Sequence, residues 1–405
     1  MSSTRQSLGR TRPTSHRVVS EIRRRYAAAG GTTSFAVRLL DGSETMVGQG
    51  EPRAALVICT QQGLEALSSF DVIRVGEAYL DGDLDAEGDL ADLLTLRPIF
   101  SDFHPWQYVT RYARPLLRGQ VRSDHDYIAH HYENDPDFYL SFLDRRHRAY
   151  SQGVFEHPDE PLEDGITRKL DYALAAIDVG PGARVLDIGG GWGAFVEHGG
   201  QHGLRVTSLT ISEESRRFVQ GIIDEQHLPC EVRREHFFAH RPDEPYDAIV
   251  NLGVTEHLPD YPRTLAAYRT LLKPGGRVYL DASAARRKNH VSTFFENQIF
   301  RGNGSPLSLQ DYVAALSRSP LELEVVLNDR VNYGITTRRW AENLDAARAT
   351  IEARWGSRQY RLFRLYLWGC VDGFARDVIQ AYRLVLRNPA ESERSRPLGR
   401  GAPRP

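Results

Sequence analysis

The sequence predicts a doubly wound, mostly parallel α/β domain preceded by a smaller α+β domain. Three observations predict it. The length, 405 residues, suits two domains at roughly 100–200 residues each. From about residue 165 strand-like and helix-like segments alternate, the pattern of a parallel sheet with helices on both faces. One strand also runs into the next helix through a glycine-rich turn. Hydrophobic residues make up 41% of the chain, charged residues 26%, and the formal net charge is −2, so neither a disordered composition nor a basic surface for nucleic acid is indicated.

Residues 1–25 carry seven arginines against the single acid Glu21 and read as a flexible basic tail, a stretch that anionic lipid headgroups would attract. Residues 26–122 read as the small domain. Within it, 34–40 and 54–59 are strand-like, and 64–70 and 90–96 have the apolar spacing of three and four that marks helices. Between those helices lies Gly76-Glu77-Ala78-Tyr79-Leu80-Asp81-Gly82, and the proline-broken, arginine-bearing segment 105–122 reads as the connection. The large domain takes 123–388, and 389–405, rich in Arg, Pro, Gly and Ser, reads as disordered. No run approaches eighteen apolar residues and no signal-peptide core is present, so the expectation is a cytoplasmic protein that meets membranes only from their surface. Cys59, Cys230 and Cys370 lack metal-ligand spacing and read as buried apolar side chains.

In the large domain a helix over 166–177 leads to the strand 184–188, the glycine turn and a helix from Ala194. Strand 204–209, helix 213–226, strand 246–252, helix 261–272, the turn Lys273-Pro-Gly-Gly276 and strand 276–281 follow. Ligands of such a sheet lie at the carboxyl ends of its strands. The turn reads Asp187-Ile-Gly189-Gly190-Gly191-Trp192-Gly193-Ala194; its glycines allow close backbone approach, with helix N–H groups directed at the ligand. A loose dinucleotide fingerprint is also present, but that reading needs an acid at the end of the second strand, about twenty residues on. The sequence there is Leu209-Thr210-Ile211-Ser212. Asp187 before the glycines instead suits a class I methyltransferase, where it organises the turn and the cationic methionine end of S-adenosyl-L-methionine.

With Asp137-Phe138-Tyr139, Phe142-Leu143-Asp144, Tyr150-Ser151, the glycine turn, Leu209-Thr210-Ile211-Ser212, Asn251-Leu-Gly253-Val-Thr-Glu256-His257, Asn332-Tyr333 and Trp340 in that order, the chain resembles the cyclopropane-fatty-acid synthases and mycolic acid methyltransferases over about 124–388. Ile128-Ala-His-His-Tyr132, Ile299-Phe300-Arg-Gly302-Asn-Gly304 and a long helix around 365–386 extend the resemblance, and the Gly76–Gly82 segment is similar to the N-terminal domain of the family's longer members. The resemblance implies an S-adenosylmethionine-dependent C-methyltransferase acting on a carbon–carbon double bond. It implies cofactor contacts at Tyr150, Ser151, Asp187, Gly189, Gly191, Trp192, Gly193, Thr210 and Ser212, with Ser215 where relatives often carry a glutamine. Glu256 and Tyr333 fall in the reaction chamber, with His257 beside them.

An isolated alkene is a poor nucleophile, so methyl transfer to it develops cationic charge, which aromatic faces and a fixed carboxylate stabilise where water is excluded. In the family a bound bicarbonate is thought to take the proton. Here Gln152 replaces a cysteine of that pocket, Asp281 a histidine and Ser283 an aliphatic residue. An anionic Asp281 repels bicarbonate, so bicarbonate is doubtful and Asp281 is the candidate base; the other outcomes are proton loss elsewhere, giving a methyl-branched or methylenated product, or an Asp281 that is an ordinary strand-end acid. The expected partner is an unsaturated acyl chain or similar lipid, with peripheral membrane contact and a homodimer as further expectations. The alternatives are a tailoring methyltransferase of the same family acting on an alkene, polyketide or terpenoid, and a non-catalytic lipid- or cofactor-binding protein.

Overall fold

A computed structural model describes residues 13–104, 135–286, 292–299 and 305–390. The chain divides into two compact units, one of Met1–His104, Ser292–Phe294 and Thr350–Asp372, the other of Pro105–Val291, Phe295–Ala349 and Gly373–Pro405.

The first unit holds a four-stranded sheet of β1 (Phe35–Arg38), β2 (Glu44–Val47), β3 (Ala54–Ile58) and β4 (Leu84–Gly88) in the order β2-β1-β3-β4. Residues 15–25 are not a tail. They lie in the helix Ser15–Ala28, which buries Val18, Val19, Ile22 and Tyr26, an apolar stripe at helical spacing that the arginine count conceals. The Gly76–Gly82 segment falls in the helix Val72–Asp81, capped by Asp71 and closed by Gly82 at φ 82°. Its Gly76 admits the Phe294 ring, which a Cβ would meet at 2.4 Å. Arg358, Arg361 and Arg364, at helical spacing, pair with Glu77, Asp85 and the Tyr79 hydroxyl.

The second unit is built on a seven-stranded sheet in the order β10-β11-β9-β8-β5-β6-β7, comprising β5 (Arg184–Ile188), β6 (Arg205–Thr210), β7 (Glu231–Arg234), β8 (Tyr246–Leu252), β9 (Leu272–Ala284), β10 (Glu322–Asn328) and β11 (Gln380–Arg387). The pairs β5–β6, β5–β8, β6–β7 and β8–β9 are parallel, and β11 runs antiparallel to both β9 and β10. The predicted doubly wound sheet is present, with β8 and β9 side by side at its centre. The long helix expected around 365–386 is not: the helix Ser357–Ala375 ends there, Asp377 takes a left-handed φ of 63°, and 380–387 inserts between β9 and β10 as a strand. Of the cysteines, Cys59 is exposed rather than buried, and all three are free. The expectations for 105–122, 128–132 and 300–304, and most of those for the two termini, lie outside the described residues.

Candidate active site

The carboxyl ends of β5, β6 and β8 converge on a cleft lined by Gly189, Gly191, Thr210, Ser215, His236 and His257 among others. The turn after β5 favours glycine: Gly189, Gly191 and Gly193 have φ of 78°, 50° and 87°, where other residues are strained. At Gly189 a Cβ would strike Val254 Cγ2 at 2.3 Å, whereas at Gly191 it would meet nothing nearer than the Gly189 carbonyl oxygen at 3.8 Å. The space beside Gly191 is therefore the cleft itself. Asp187, 2% exposed, accepts a 2.8 Å hydrogen bond from Ser208 Oγ, and burial pushes its carboxyl up to about 6 against that bond. Ser215 Oγ donates to the Gly191 carbonyl at 2.6 Å, Ser212 caps the helix Glu213–Glu225, and Thr210 Oγ1 accepts from the Ser212 amide. These hydroxyls fix the turn and the helix start around the cleft. With no acid in 209–212 and a glycine-lined cradle, the residues fit S-adenosylmethionine.

A second, drier region lies behind the ends of β8 and β9. Leu252 pairs with Asp281, and the Gly253 amide donates to the Asp281 carbonyl at 3.1 Å, which brings the turn after β8 against the end of β9. There Glu256 Oε1 accepts from both the Ser283 amide, at 2.7 Å, and Ser283 Oγ, at 2.8 Å. Its Oε2 is buried and has no hydrogen-bond partner among the described residues. Burial drives the Glu256 carboxyl up to about 7, outweighing the Ser283 bonds, and Asp281 adds to the rise. Asp281, 1% exposed, is pushed by burial up to about 6 while Lys169 opposes the rise; its Oδ2 also lacks a hydrogen bond. Lys169 Nζ stands 3.8 Å from that oxygen and donates to Ser151 Oγ at 2.8 Å. Gln152 Nε2 donates to Asp329 Oδ2 at 2.6 Å, and Asp329 also accepts from Nε and Nη2 of Arg383, whose Nη1 is buried without a hydrogen-bond partner among the described residues. An aromatic wall stands nearby, with Tyr150 packed on Tyr139 and Trp340 at ring separations of 5.4 and 5.2 Å and Tyr333 stacked on Phe374 at 4.9 Å.

The predicted residues thus sort into two groups. Gly189, Gly191, Thr210 and Ser215 line the cleft, with Gly193 and Ser212 in the framework behind it. Trp192 is buried against Tyr139. Glu256, Asp281, Gln152 and Ser151 gather in the drier region. His257 parts from Glu256 and faces the cleft. The sequence reading missed Glu235, His236 and Phe237, which line the cleft from the segment after β7, because the strand Glu231–Arg234 is short and charged. It also missed Lys169, although a lysine on the Ile166, Leu170, Ala173 and Ile177 face of a predicted helix was a signal, and it missed Asp329 and Arg383.

This sheet, this glycine turn and this cradle define a class I methyltransferase that uses S-adenosylmethionine. Comparison with known proteins narrows the class. The model of the mycolic acid cyclopropane synthetase family matches residues 120–384, and a domain family of unknown function matches residues 29–97. The chain belongs to the mycolic acid cyclopropane synthetase family. A sphingolipid C9-methyltransferase of Candida albicans is 25% identical over 354 residues, covering 81% of this chain and 68% of that protein. A probable fatty acid methyltransferase of Pseudomonas putida is 24% identical, covering 87% of this chain and 91% of its own. Among solved structures, the cyclopropane synthase MmaA2 from Mycobacterium tuberculosis superposes with a TM-score of 0.61 at 26% identity, over 65% of this chain and 98% of its own.

Proposed function

We propose that the protein transfers a one-carbon unit from S-adenosylmethionine to a carbon–carbon double bond of an unsaturated lipid acyl chain, and that a carboxylate of the protein accepts the proton released. The observation that carries this reading is the pair of buried acids, Glu256 and Asp281, each with an oxygen that no described residue hydrogen-bonds. Buried polar groups are normally satisfied, and acids held near neutrality in a closed site are the groups that can accept a proton from a reacting centre.

Gly189, Gly191, Thr210 and Ser215 hold the cofactor, with Asp187 behind the turn and Tyr150 and Ser151 on the loop beside it. When bound, S-adenosylmethionine supplies an electrophilic methyl group. The chain's own residues do the rest. Tyr150, Tyr333 and Trp340 exclude water and present ring faces to the cationic carbon. Glu256, with Oε1 fixed by Ser283, aims Oε2 as a counter-charge, and Asp281 Oδ2 accepts the proton. Bicarbonate does not fit this chamber. Lys169 and Arg383 already stand against Asp281 and Asp329, and the chamber's unbonded oxygens of Gln152, Glu256 and Asp281 are acceptors set against the cationic donor Arg383 Nη1, so a further anion would add more negative charge than this one donor can meet where desolvation is expensive. Among the described residues no helix is long and apolar enough to cross a membrane, and the lipid is met at the surface. Mass spectrometry of lipids from cells expressing the protein tests the reading: acyl species heavier by one CH₂ unit support it. Such a gain on an added terpenoid or polyketide alkene, with lipids unchanged, replaces the substrate.

A further inference from the structure

Lys169 has no exposed surface. It occupies the apolar face of the helix Leu162–Ile177, and among the described residues its one hydrogen bond goes to Ser151 Oγ. An ammonium group out of water is costly unless charge meets it. Burial lowers the lysine's affinity for its proton, while Asp281, Asp144 and Asp187 favour the charged form and Arg383 opposes it. The groups that face Asp281 are Lys169 from this helix, Asp329 from the start of the helix Arg330–Ala346, Arg383 from β11, Glu256 from the turn after β8 and Tyr279 on its own strand. Arg383 is committed to Asp329 through two nitrogens; its Nη1 has no hydrogen-bond partner among the described residues, and it favours the Asp281 carboxylate less than Lys169 does. Lys169, 3.8 Å from Oδ2, is the principal cation for Asp281.

We propose that Lys169 is the positioning residue of the chamber's proton-accepting side, holding Asp281 as a carboxylate and tying it through Ser151 to the cofactor loop. The inference rests on the reading of Asp281 as proton acceptor. In that step either a C–H bond of the transferred methyl group breaks and its electron pair closes the ring onto the cationic carbon, or a C–H bond of a chain carbon next to the cation breaks and its pair forms the new double bond; in both cases the proton passes to Asp281 Oδ2. Lys169 neither gains nor loses a proton. Its charge matters because a neutral Asp281 cannot accept one.

The test reads Asp281 directly. Carbon-13 NMR of full-length protein labelled at the aspartate carboxyl, with the Asp281 signal assigned by its loss in Asp281→Asn, is followed against pH in the native protein, Lys169→Met and Lys169→Arg. Loss of a cation this close raises the Asp281 midpoint by about one pH unit or more, and Lys169→Arg restores at least half of the difference. The acid limb of the kcat profile moves up by the same interval. Should Lys169→Met fold poorly, Lys169→Met/Asp281→Asn removes both charges and is the more thermostable of the two. An unmoved midpoint, or a double variant no more stable than the single one, overturns the pairing. Full activity in Asp281→Asn with the midpoint shift intact would instead sink Asp281 as the acceptor and leave the pairing standing.

Discussion

The two halves of the active site are built on opposite principles. In the cofactor half, hydroxyls and backbone groups satisfy one another: Ser215 holds the Gly191 carbonyl, Ser212 caps its helix and Thr210 holds the Ser212 amide, so the cleft is a preformed mould. In the chemical half, Glu256 Oε2, Asp281 Oδ2 and Gln152 Oε1 are buried without hydrogen-bond partners, and Lys169 and Arg383 sit among acids. Binding is served by matched groups that have nothing left to do. On the function proposed, chemistry is served by groups kept unmatched, at a cost in stability that a proton or a developing cation relieves.

That contrast can be broken at either half. The largest effect is expected at Gly191→Leu. A side chain there enters the cleft without striking the fold, at the cost of some strain at φ 50°, so with folding checked by thermal melt the cofactor affinity, read by calorimetry, falls by about 100-fold or more, some 2.7 kcal/mol; unchanged affinity in the folded variant would show that the cleft is not the cofactor's. Glu256→Gln is expected to leave that affinity nearly unchanged and to lower kcat by about ten- to a thousand-fold. Loss of cofactor binding in this variant would erase the division between the halves. Tyr333→Phe keeps the stack on Phe374 and should cost about ten-fold in kcat, the low end of that range. If it unfolds while activity per folded molecule is intact, Tyr333 is structural.

The smallest effect is on stability, and its sign is the informative part. The Glu256 carboxyl lies at about 7 in the folded protein against an ordinary 4.5, so the folded state holds the proton more tightly than the unfolded one. Stability therefore falls as pH rises from 4.5 to 7, and Asp281 acts in the same direction. Glu256→Gln removes the penalty. In thermal melts it should match the native protein near pH 4 and exceed it at pH 8, at roughly 2–4 °C per kcal/mol for a domain of this size. A variant less stable at pH 8 would mean that the charged carboxylate is matched after all.

The same contrast explains what could be read from the sequence. The cofactor half lies on contiguous segments: a strand, its glycine turn and the next strand's end carry their conformations locally, so Gly189, Gly191, Thr210 and Ser215 were legible. The chemical half is assembled from Ser151, Lys169, Glu256, Asp281, Asp329 and Arg383, more than two hundred residues apart at the extremes, and only the sheet order joins them. Glu256 and Asp281 were legible through the resemblance, whereas Arg383 fell within the long helix around 365–386 that the resemblance implied and the strand Gln380–Arg387 replaces. The strand Glu322–Asn328 was missed because it is largely exposed on both faces and its Glu-Leu-Glu-Val alternation breaks at Val326, too short a run to mark a strand. The helix Ser15–Ala28 was hidden by its arginines, whose charges say nothing about the Val18, Val19 and Ile22 stripe between them.

The central claim is that the protein supplies its own proton acceptor. Turnover in carefully degassed buffer, with and without added bicarbonate, tests it most directly when native protein is compared with Asp281→Asn and Asp281→His. The account predicts a native enzyme indifferent to bicarbonate, a crippled Asn variant and some response to the ion in the His variant. Strong stimulation of the native enzyme by bicarbonate would contradict it, because the chamber would then recruit the anion despite Asp281 and Glu256.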